Sequence, residues 1–283
     1  MNTVIFYFSG TGNTWWTSLE LKKELESLGN TVEMYSLENP ALKEEEFISQ
    51  KIGKADHIFI GYPVYGSALP KNMRDFVRDL PDVSDNTKFS VFCTQAAFSG
   101  DANWYFKKDV EKKGYRFLQS FQINFTTNFN VAMLPFSLSK PAEGKKLERK
   151  KEKVAKKIKK MAKKIANNER YIEGRRFYQM LLGRIQRCMF LRSEAKFSKG
   201  FKFSKDRCTK CKLCVRTCPT ENIVLDESKD LELIRKDNCI LCFRCYNFCP
   251  TLAINFGKNI KDPSKYKRFT GPIENLKLSD IRK

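Results

Sequence analysis

Val4-Ile5-Phe6-Tyr7-Phe8, followed at once by Ser9-Gly10-Thr11-Gly12-Asn13-Thr14, decides how the first half of the chain folds. Five consecutive apolar or aromatic residues bounded by turn residues read as a strand buried on both faces, as parallel sheets require. The loop after it is built to approach an anion. Two glycines let the backbone come close, and Ser9, Thr11 and Thr14 add hydroxyl donors. A helix beginning near Thr14 would present its positive end to the same place. The loop has no lysine, so it is not a P-loop, and Trp15 stands where a dinucleotide fingerprint needs its third glycine.

Working outward, apolar runs at Thr3–Phe8, Thr31–Leu37, His57–Gly61, Lys88–Thr94 and Phe117–Phe125 alternate with helical patterns. Those patterns cover Thr14–Leu28, Ala41–Lys54, Lys71–Leu80 and Ala102–Lys113. Five strands alternating with helices predict an open parallel α/β sheet covered on both faces. Two further loops leave the carboxyl ends of strands: Gly61-Tyr62-Pro63-Val64-Tyr65-Gly66, and Thr94-Gln95-Ala96-Ala97-Phe98-Ser99-Gly100. A hydroxyl-rich loop without a cation suits the terminal phosphate of FMN. On these residues the chain resembles flavodoxin, the clostridial type most closely, over roughly residues 1–130. The resemblance implies a doubly wound five-stranded sheet of order 2-1-3-4-5 with FMN at the switch point between the first and third strands. It also implies that Ser9, Gly10, Thr11, Gly12, Asn13 and Thr14 hold the phosphate. Pro63, Val64, Tyr65, Gly66, Thr94, Gln95, Ala96 and Ala97 would then face the isoalloxazine. Tyr65 is a candidate to stack on the ring and Phe98 a weaker one; either also reads as ordinary packing. The acidic surface common in flavodoxins is missing here.

The second half is dominated by cysteine. Cys208, Cys211, Cys214 and Cys218 precede Pro219, and Cys239, Cys242, Cys245 and Cys249 precede Pro250. Both runs read C-x2-C-x2-C-x3-C-P. Structural zinc uses paired ligands around a longer excursion and has no use for a third cysteine at the same tight spacing. Disulfides need an oxidising compartment, and no charged-then-apolar leader opens the chain. The runs resemble those of bacterial ferredoxins with two 4Fe–4S clusters. That resemblance implies a small α+β ferredoxin-like domain and a crosswise ligand set. One cluster would take Cys208, Cys211, Cys214 and Cys249, and the other Cys239, Cys242, Cys245 and Cys218. Val215, Ile223, Val224 and Leu225 answer Tyr246, Leu252, Ala253 and Ile254, so the segment reads as an internal duplication.

Charge is unevenly placed along the 283 residues, whose net is +21. Residues 1–139 hold 14 Lys/Arg against 16 Asp/Glu, whereas residues 140–205 hold 23 against 6, a net of +17. The last segment, 206–283, holds 16 against 10. From Glu143 to Asn168 an amphipathic helix is expected, with Leu147, Val154, Ile158, Met161 and Ile165 on one stripe and lysines around it. It reads as the last helix of the sheet domain. Arg170 to Phe203 interleaves arginines with large apolar residues. Docking between the two cofactor domains is the leading reading, ahead of contact with an anionic membrane surface and, last, nucleic acid. The expected division is a flavodoxin-like domain at 1–168, a basic helical connector at 169–205, a 2x[4Fe–4S] domain at 206–256 and an extended tail at 257–283. No apolar run approaches the length of a membrane span, and cluster chemistry with free thiols points to a reducing cytoplasm.

Together the halves resemble the flavodoxin–ferredoxin fusions of anaerobic prokaryotes. The expected function is electron transfer between an FMN and two [4Fe–4S] clusters, interconverting one- and two-electron carriers. The basic excess suggests an acidic redox protein, a ferredoxin or flavodoxin, as partner. One alternative is a flavin-dependent reductase of a small molecule, with Tyr65, Gln95 and Asp101 as weak proton-donor candidates. Another is a redox-responsive protein that binds nucleic acid or a membrane surface. His57, the one histidine, reads as structural rather than as a proton shuttle. Cys93 and Cys188 read as small buried apolar groups, and Trp15 and Trp16 as packing residues.

Overall fold

Alternation within β1 (Asn2–Tyr7) organises the N-terminal half. Val4, Phe6 and Phe8 belong to one buried cluster, and Ile5 and Tyr7 to another. Successive side chains of a strand point to opposite faces, so a fully apolar strand requires cover on both. The computed structural model describes residues 1–84, 87–129, 131–132, 138–226, 232–257 and 268–283. In it β1 lies between β2 (Thr31–Ser36) and β3 (His57–Pro63), all parallel. β4 (Lys88–Gln95) and β5 (Arg116–Asn124) continue the sheet. The expected order 2-1-3-4-5 is present. A two-residue strand, β8 (Tyr171–Ile172), extends it to six by pairing parallel with β5. This strand falls in the stretch read as a purely helical connector; two residues are too few to show a period in the sequence.

The helices sort by face. α1 (Asn13–Ser27) and α5 (Gly144–Ala166) cover the cluster that holds Ile5, Phe59, Phe92, Phe121 and Ile123. α2 (Glu45–Gly53), α3 (Lys71–Arg78) and α4 (Lys107–Lys112) lie along the other cluster. The expected helix over 41–54 is split. Asn39 Oδ1 accepts from Ala41 N and caps a 3-10 turn at Pro40–Lys43 before α2 starts. The helix expected over 102–113 is shortened to α4, with turns before it. Trp15 and Trp16 are buried in the core, Trp16 tilted on Phe125 at 5.3 Å. Val154, Ile158, Met161 and Ile165 of α5 are buried, as their stripe predicts.

Two short strands, β6 (Val131–Ala132) and β7 (Leu138–Ser139), pair antiparallel before α5. α6 (Phe177–Ser198) leads from β8 to the cysteine-bearing unit. There β9 (Phe201–Phe203) pairs with β12 (Ile254–Phe256), and β10 (Ile223–Asp226) with β11 (Glu232–Arg235), both antiparallel. One-turn helices α7 (Leu213–Arg216) and α8 (Arg244–Asn247) occupy equivalent places, each carrying the third cysteine of its run. The apolar core of this unit is small: Phe201, Leu241, Phe243, Tyr246 and Ile254. The chain's last residues return to the parallel sheet, where Tyr7 donates its hydroxyl to the carbonyls of Ile281 and Lys283 at 3.3 Å. Pro263 of the expected tail lies outside the described residues. Among the described residues no helix is long and apolar enough to cross a membrane.

His57 begins β3 fully buried, with Nε2 2.8 Å from Ser90 Oγ. Burial, with Lys88 nearby, pushes its pKa down to about 3. The ring is structural and neutral. A neutral buried histidine stabilises the fold fully above its unfolded pKa of about 6.5 and progressively less as pH falls toward 3, because only the unfolded chain then takes up the proton. As the sole histidine it gives one unambiguous imidazole NMR spectrum. That spectrum should show a neutral ring at pH 5; half-protonation near pH 6.5 would contradict the burial argument.

Candidate functional site

The three loops singled out at the carboxyl edge of the sheet meet in the structure. Thr14 and Thr94 share a hydroxyl hydrogen bond of 2.8 Å. Val64 N donates to Thr94 O at 3.0 Å, and Asn13 Nδ2 to Thr126 O at 2.8 Å. Gly12 adopts φ 103°, which lets the loop turn sharply into α1, and its N–H donates to Ser9 Oγ at 3.1 Å. Ser9, Thr11 and Thr14 are buried. Pro63 ends β3, and past Val64 the chain makes a tight turn over Tyr65, Gly66, Ser67 and Ala68, in which Tyr65 and Ala68 exchange both backbone hydrogen bonds at 3.0 Å. Ala96 and Ala97 are exposed, Thr94 and Gln95 buried.

The polar chemistry of these loops is incomplete without a ligand. Asn13 Oδ1, Tyr65 Oη, Gln95 Oε1 and Ser99 Oγ are buried with no hydrogen-bond partner. Each unsatisfied buried polar atom costs roughly 1–3 kcal/mol, and here they fall on the three loops that the flavodoxin resemblance assigns to FMN. Two of the four are hydroxyls that can donate (Tyr65, Ser99) and two are amide oxygens that accept (Asn13, Gln95), a mixed set that fits the donors and acceptors of a flavin ring. Burial, with Cys242 close by, raises the Tyr65 phenol well above its usual range, so it stays protonated and able to donate. Asp101 is held in a bidentate pair with Arg187, at 2.6 and 3.1 Å.

The eight cysteines line two cavities. Cys218, Cys239, Cys242 and Cys245 line one, and Cys208, Cys211, Cys214 and Cys249 line the other. Among the described residues no three His, Cys, Asp or Glu side chains come close enough to hold a single ion. Four thiols around a void too wide for one ion suit the corners of a cube. Backbone conformation repeats between the runs. Lys210 and Lys212 flank Cys211 with φ 56° and 60°, and Leu241 and Phe243 flank Cys242 with φ 57° and 58°. Left-handed residues alternating with right-handed ones turn successive N–H groups into one concavity, which favours a negatively charged group. Asn222 N donates to Cys218 Sγ and Ala253 N to Cys249 Sγ, each at 3.2 Å. Burial raises the Cys214 thiol to about 11 and the Cys242 thiol to about 12. Metal binding therefore has to displace their protons.

Sequence reasoning missed the residue that joins the two regions. Arg244, inside the second run, is fully buried and uses all five of its N–H donors. Nε donates to Gly10 O at 3.0 Å and Nη2 to Ser9 O at 2.8 Å. Both Nη atoms reach the Glu38 carboxylate, at 2.7 and 2.6 Å, and Nη1 also donates to Thr217 O at 2.8 Å. Burial opposes its charge, and the Glu38 carboxylate more than compensates, so its pKa lies above the ordinary value. The outer side of the loop is packed equally closely. A Cβ at Gly10 would lie 2.6 Å from Cys242 O, and one at Gly12 2.6 Å from Leu276 Cδ2. The signal in the sequence was a cation just before Cys245, where the residues between the earlier cysteines of the run, Ile240, Leu241 and Phe243, are apolar.

A family model described as a flavodoxin domain matches residues 4–164, and one described as a 4Fe-4S dicluster domain matches residues 201–254. No curated protein matches the chain. Among solved structures it is similar to rubredoxin oxygen:oxidoreductase from Desulfovibrio gigas, at 15% identity over 59% of this chain and TM-score 0.40. This chain spans 35% of the length of that protein. Oxidised flavodoxin 1 from Bacillus cereus (14% identity, 59% of this chain and 98% of that one, TM-score 0.40) is also similar. So is flavodoxin 2 from the same organism, at 19% identity over 59% of this chain and 97% of that one, TM-score 0.40.

Replacing Arg244 by Met should leave the Glu38 carboxylate with only its 3.1 Å pair to Arg282, and the Ser9 and Gly10 carbonyls without their donor. Breaking a buried pair from one side costs about 3–5 kcal/mol. The urea midpoint for loss of cluster absorbance should fall accordingly, and Arg244→Lys, with three donors in place of five, should recover only part of it. An unchanged midpoint in Arg244→Met would show that the guanidinium does not hold the two regions together.

Proposed function

The chain belongs to the flavodoxin family and carries a 4Fe-4S dicluster domain behind its flavodoxin domain, and we propose that it relays electrons between the two kinds of centre within one molecule. Its cofactors are FMN and two 4Fe–4S clusters, and its general role is redox electron transfer. FMN holds one or two electrons and each cluster passes one, so the protein interconverts one- and two-electron carriers. The observation that carries the relay is the contact of Cys242 and Arg244 with Gly10 and Ser9. The backbone that presents a cysteine of one set is the backbone packed against the flavin loop.

In this reading Ser9, Gly10, Thr11, Gly12, Asn13 and Thr14 bind the phosphate. Pro63, Val64, Tyr65, Gly66, Thr94, Gln95, Ala96 and Ala97 frame the ring. Cys218, Cys239, Cys242 and Cys245 hold the inner cluster, and Cys208, Cys211, Cys214 and Cys249 the outer one. The domain boundaries of the sequence reading, 1–168, 169–205, 206–256 and 257–283, serve as the working division. The outer set supports the exchange point with a partner, because Cys211 is exposed whereas Cys242 is buried. Lys205, Arg207, Lys210, Lys212 and Arg216 are exposed around it, a surface suited to an acidic redox protein. Of the lysines of α5, Lys157 and Lys164 pair with Glu173 and Glu169 at 2.8 Å. Of the proton-donor candidates of the reductase alternative, Asp101 is committed to Arg187, whereas Tyr65 keeps its proton without a partner.

Anaerobically prepared protein should hold about eight iron, about eight sulfide and about one FMN per chain. Cys218→Ala should remove the inner cluster and slow flavin reduction by a one-electron protein carrier, while the outer cluster survives. Thr11→Val should weaken FMN by roughly one to two decades, the loss of a hydrogen bond to a charged group. Flavin reduction indifferent to Cys218→Ala, or steady turnover of an organic acceptor, would overturn the relay.

The acidic-partner reading makes a separate prediction about salt. The rate of exchange with an acidic carrier should fall as the Debye length contracts from about 10 Å at 0.1 M to about 3 Å at 1 M. Charge reversal at Arg207 and Arg216 should reproduce that fall at low salt with both cofactor spectra unchanged. Rates that ignore salt and substitution alike would remove the acidic partner.

A further inference from the structure

α6 is turned inside out. Its inward stripe is polar: Ser67 Oγ donates to Gln186 Oε1 at 2.5 Å, Arg187 pairs with Asp101 at 2.6 Å, and Glu194 pairs with Arg74 at 2.7 Å. Gly183 lets the helix backbone press against Gly100 and Asp101, and Phe190 alone of the large apolar residues turns in, over Gly66. The outward face carries Phe177 at 82% exposure, Met189 at 67%, and Leu182 and Ile185 at 50%, with Leu181 and Tyr178 close behind. Cys188 is exposed on this same face, contrary to the buried position expected from its amphipathic surroundings. The pattern supplied a period and not a direction, and the ion pairs took the inward side. An exposed apolar surface running along a helix of about 33 Å marks an interaction site.

We propose that this face lies on an anionic phospholipid membrane, apolar side chains in the headgroup–acyl boundary and arginines against lipid phosphates. Charge decides the occupant. Residues 174–193 contain no Asp or Glu, and Glu194, the next one, is turned inward onto Arg74. Arg175, Arg176, Arg184 and Arg192 are exposed along the apolar face. Long basic side chains extend from such a face toward phosphates while their stems stay on apolar surface. Positive charge continues beyond the start of the helix. A hollow lined by Arg175 and Arg176 shares Tyr171 and Glu173 with one lined by Lys153, Lys156, Lys157, Lys160 and Lys164. A second copy of the chain would set these arginines against one another. No described helix is apolar enough to span a membrane, so the helix lies along the surface.

The test uses the holoprotein with phosphatidylcholine vesicles and with phosphatidylcholine–phosphatidylglycerol vesicles. Flotation should recover it with the anionic vesicles and not with the neutral ones. Ile185→Glu combined with Met189→Glu should lower that partition about tenfold or more. Both side chains point to solvent, so cluster and flavin absorbance and solution electron-transfer rates should stay as in the parent. Arg184→Gln with Arg192→Gln should weaken binding to anionic vesicles by about thirtyfold. Absence of binding to anionic vesicles would overturn the proposal, as would vesicle binding that ignores both substitution pairs. A concentration-dependent dimer, or an acidic protein complex, abolished by Ile185→Glu/Met189→Glu while vesicle binding persists would assign the face to that partner instead.

Discussion

The Arg244 guanidinium joins four segments that are far apart in sequence: the loop at Ser9 and Gly10, Glu38 beyond β2, Thr217 in the first cysteine run, and its own run. A buried cation is expensive unless every donor is satisfied and a carboxylate is close. Both conditions are met only when the cysteine unit sits on the flavin loop in this one orientation. The fork geometry of arginine makes the contact specific as well as attractive, because five donors in a plane accept few arrangements of partners. The orientation in turn places Cys242 against Gly10, where any larger residue would collide with the Cys242 carbonyl. Proximity of the two cofactor regions is thus a consequence of satisfying one side chain.

The cysteine unit depends on a second constraint. Among the described residues its own buried apolar cluster is small for a folded domain. It also holds Lys210, Lys212, Leu241 and Phe243 in the left-handed region, where L-residues lose roughly 1–2 kcal/mol each. Metal ligation offsets both deficits: it ties four thiolates to one body and rewards the concave row of N–H groups that the left-handed residues create. The repetition of φ values, N–H to sulfur bonds and threonine contacts around Cys218 and Cys249 shows that the duplication is one of conformation as well as of spelling.

The two basic helices look alike in composition and serve opposite purposes. α5 buries its aliphatic stripe on the sheet, and several of its lysines are engaged by carbonyls and carboxylates, as Lys150 is by Phe125 O and Lys157 by Gln122 O. α6 buries polar residues and displays apolar ones. The difference follows from what each helix meets: a hydrophobic sheet face in one case, the polar loop edge with Asp101, Ser67 and Arg74 in the other.

Much of the parallel sheet was legible in the sequence, because burial on both faces forces continuous apolar runs and the intervening helices keep their own period. Ser9–Thr14 and the cysteine runs stood out in the sequence too, since an anion-binding turn and a tight thiolate cup each need particular residues at fixed spacing, and the structure brings each set of residues together. The short β8 was not, because two residues show no period and its partner β5 lies far back in the chain, nor the break in the helix after Asn39, which one local cap decides. Arg244 was hidden for a different reason: its partners Ser9, Gly10, Glu38 and Thr217 approach it only after two separately patterned regions have folded and met. The sequence by itself determined which residues had to be buried, which loop suited a phosphate and which thiols suited clusters, as these follow from side-chain chemistry and spacing. Only the tertiary structure decided how the regions dock and which way α6 faces, because those choices rest on pairing charges that lie 86 to 206 residues apart in the chain.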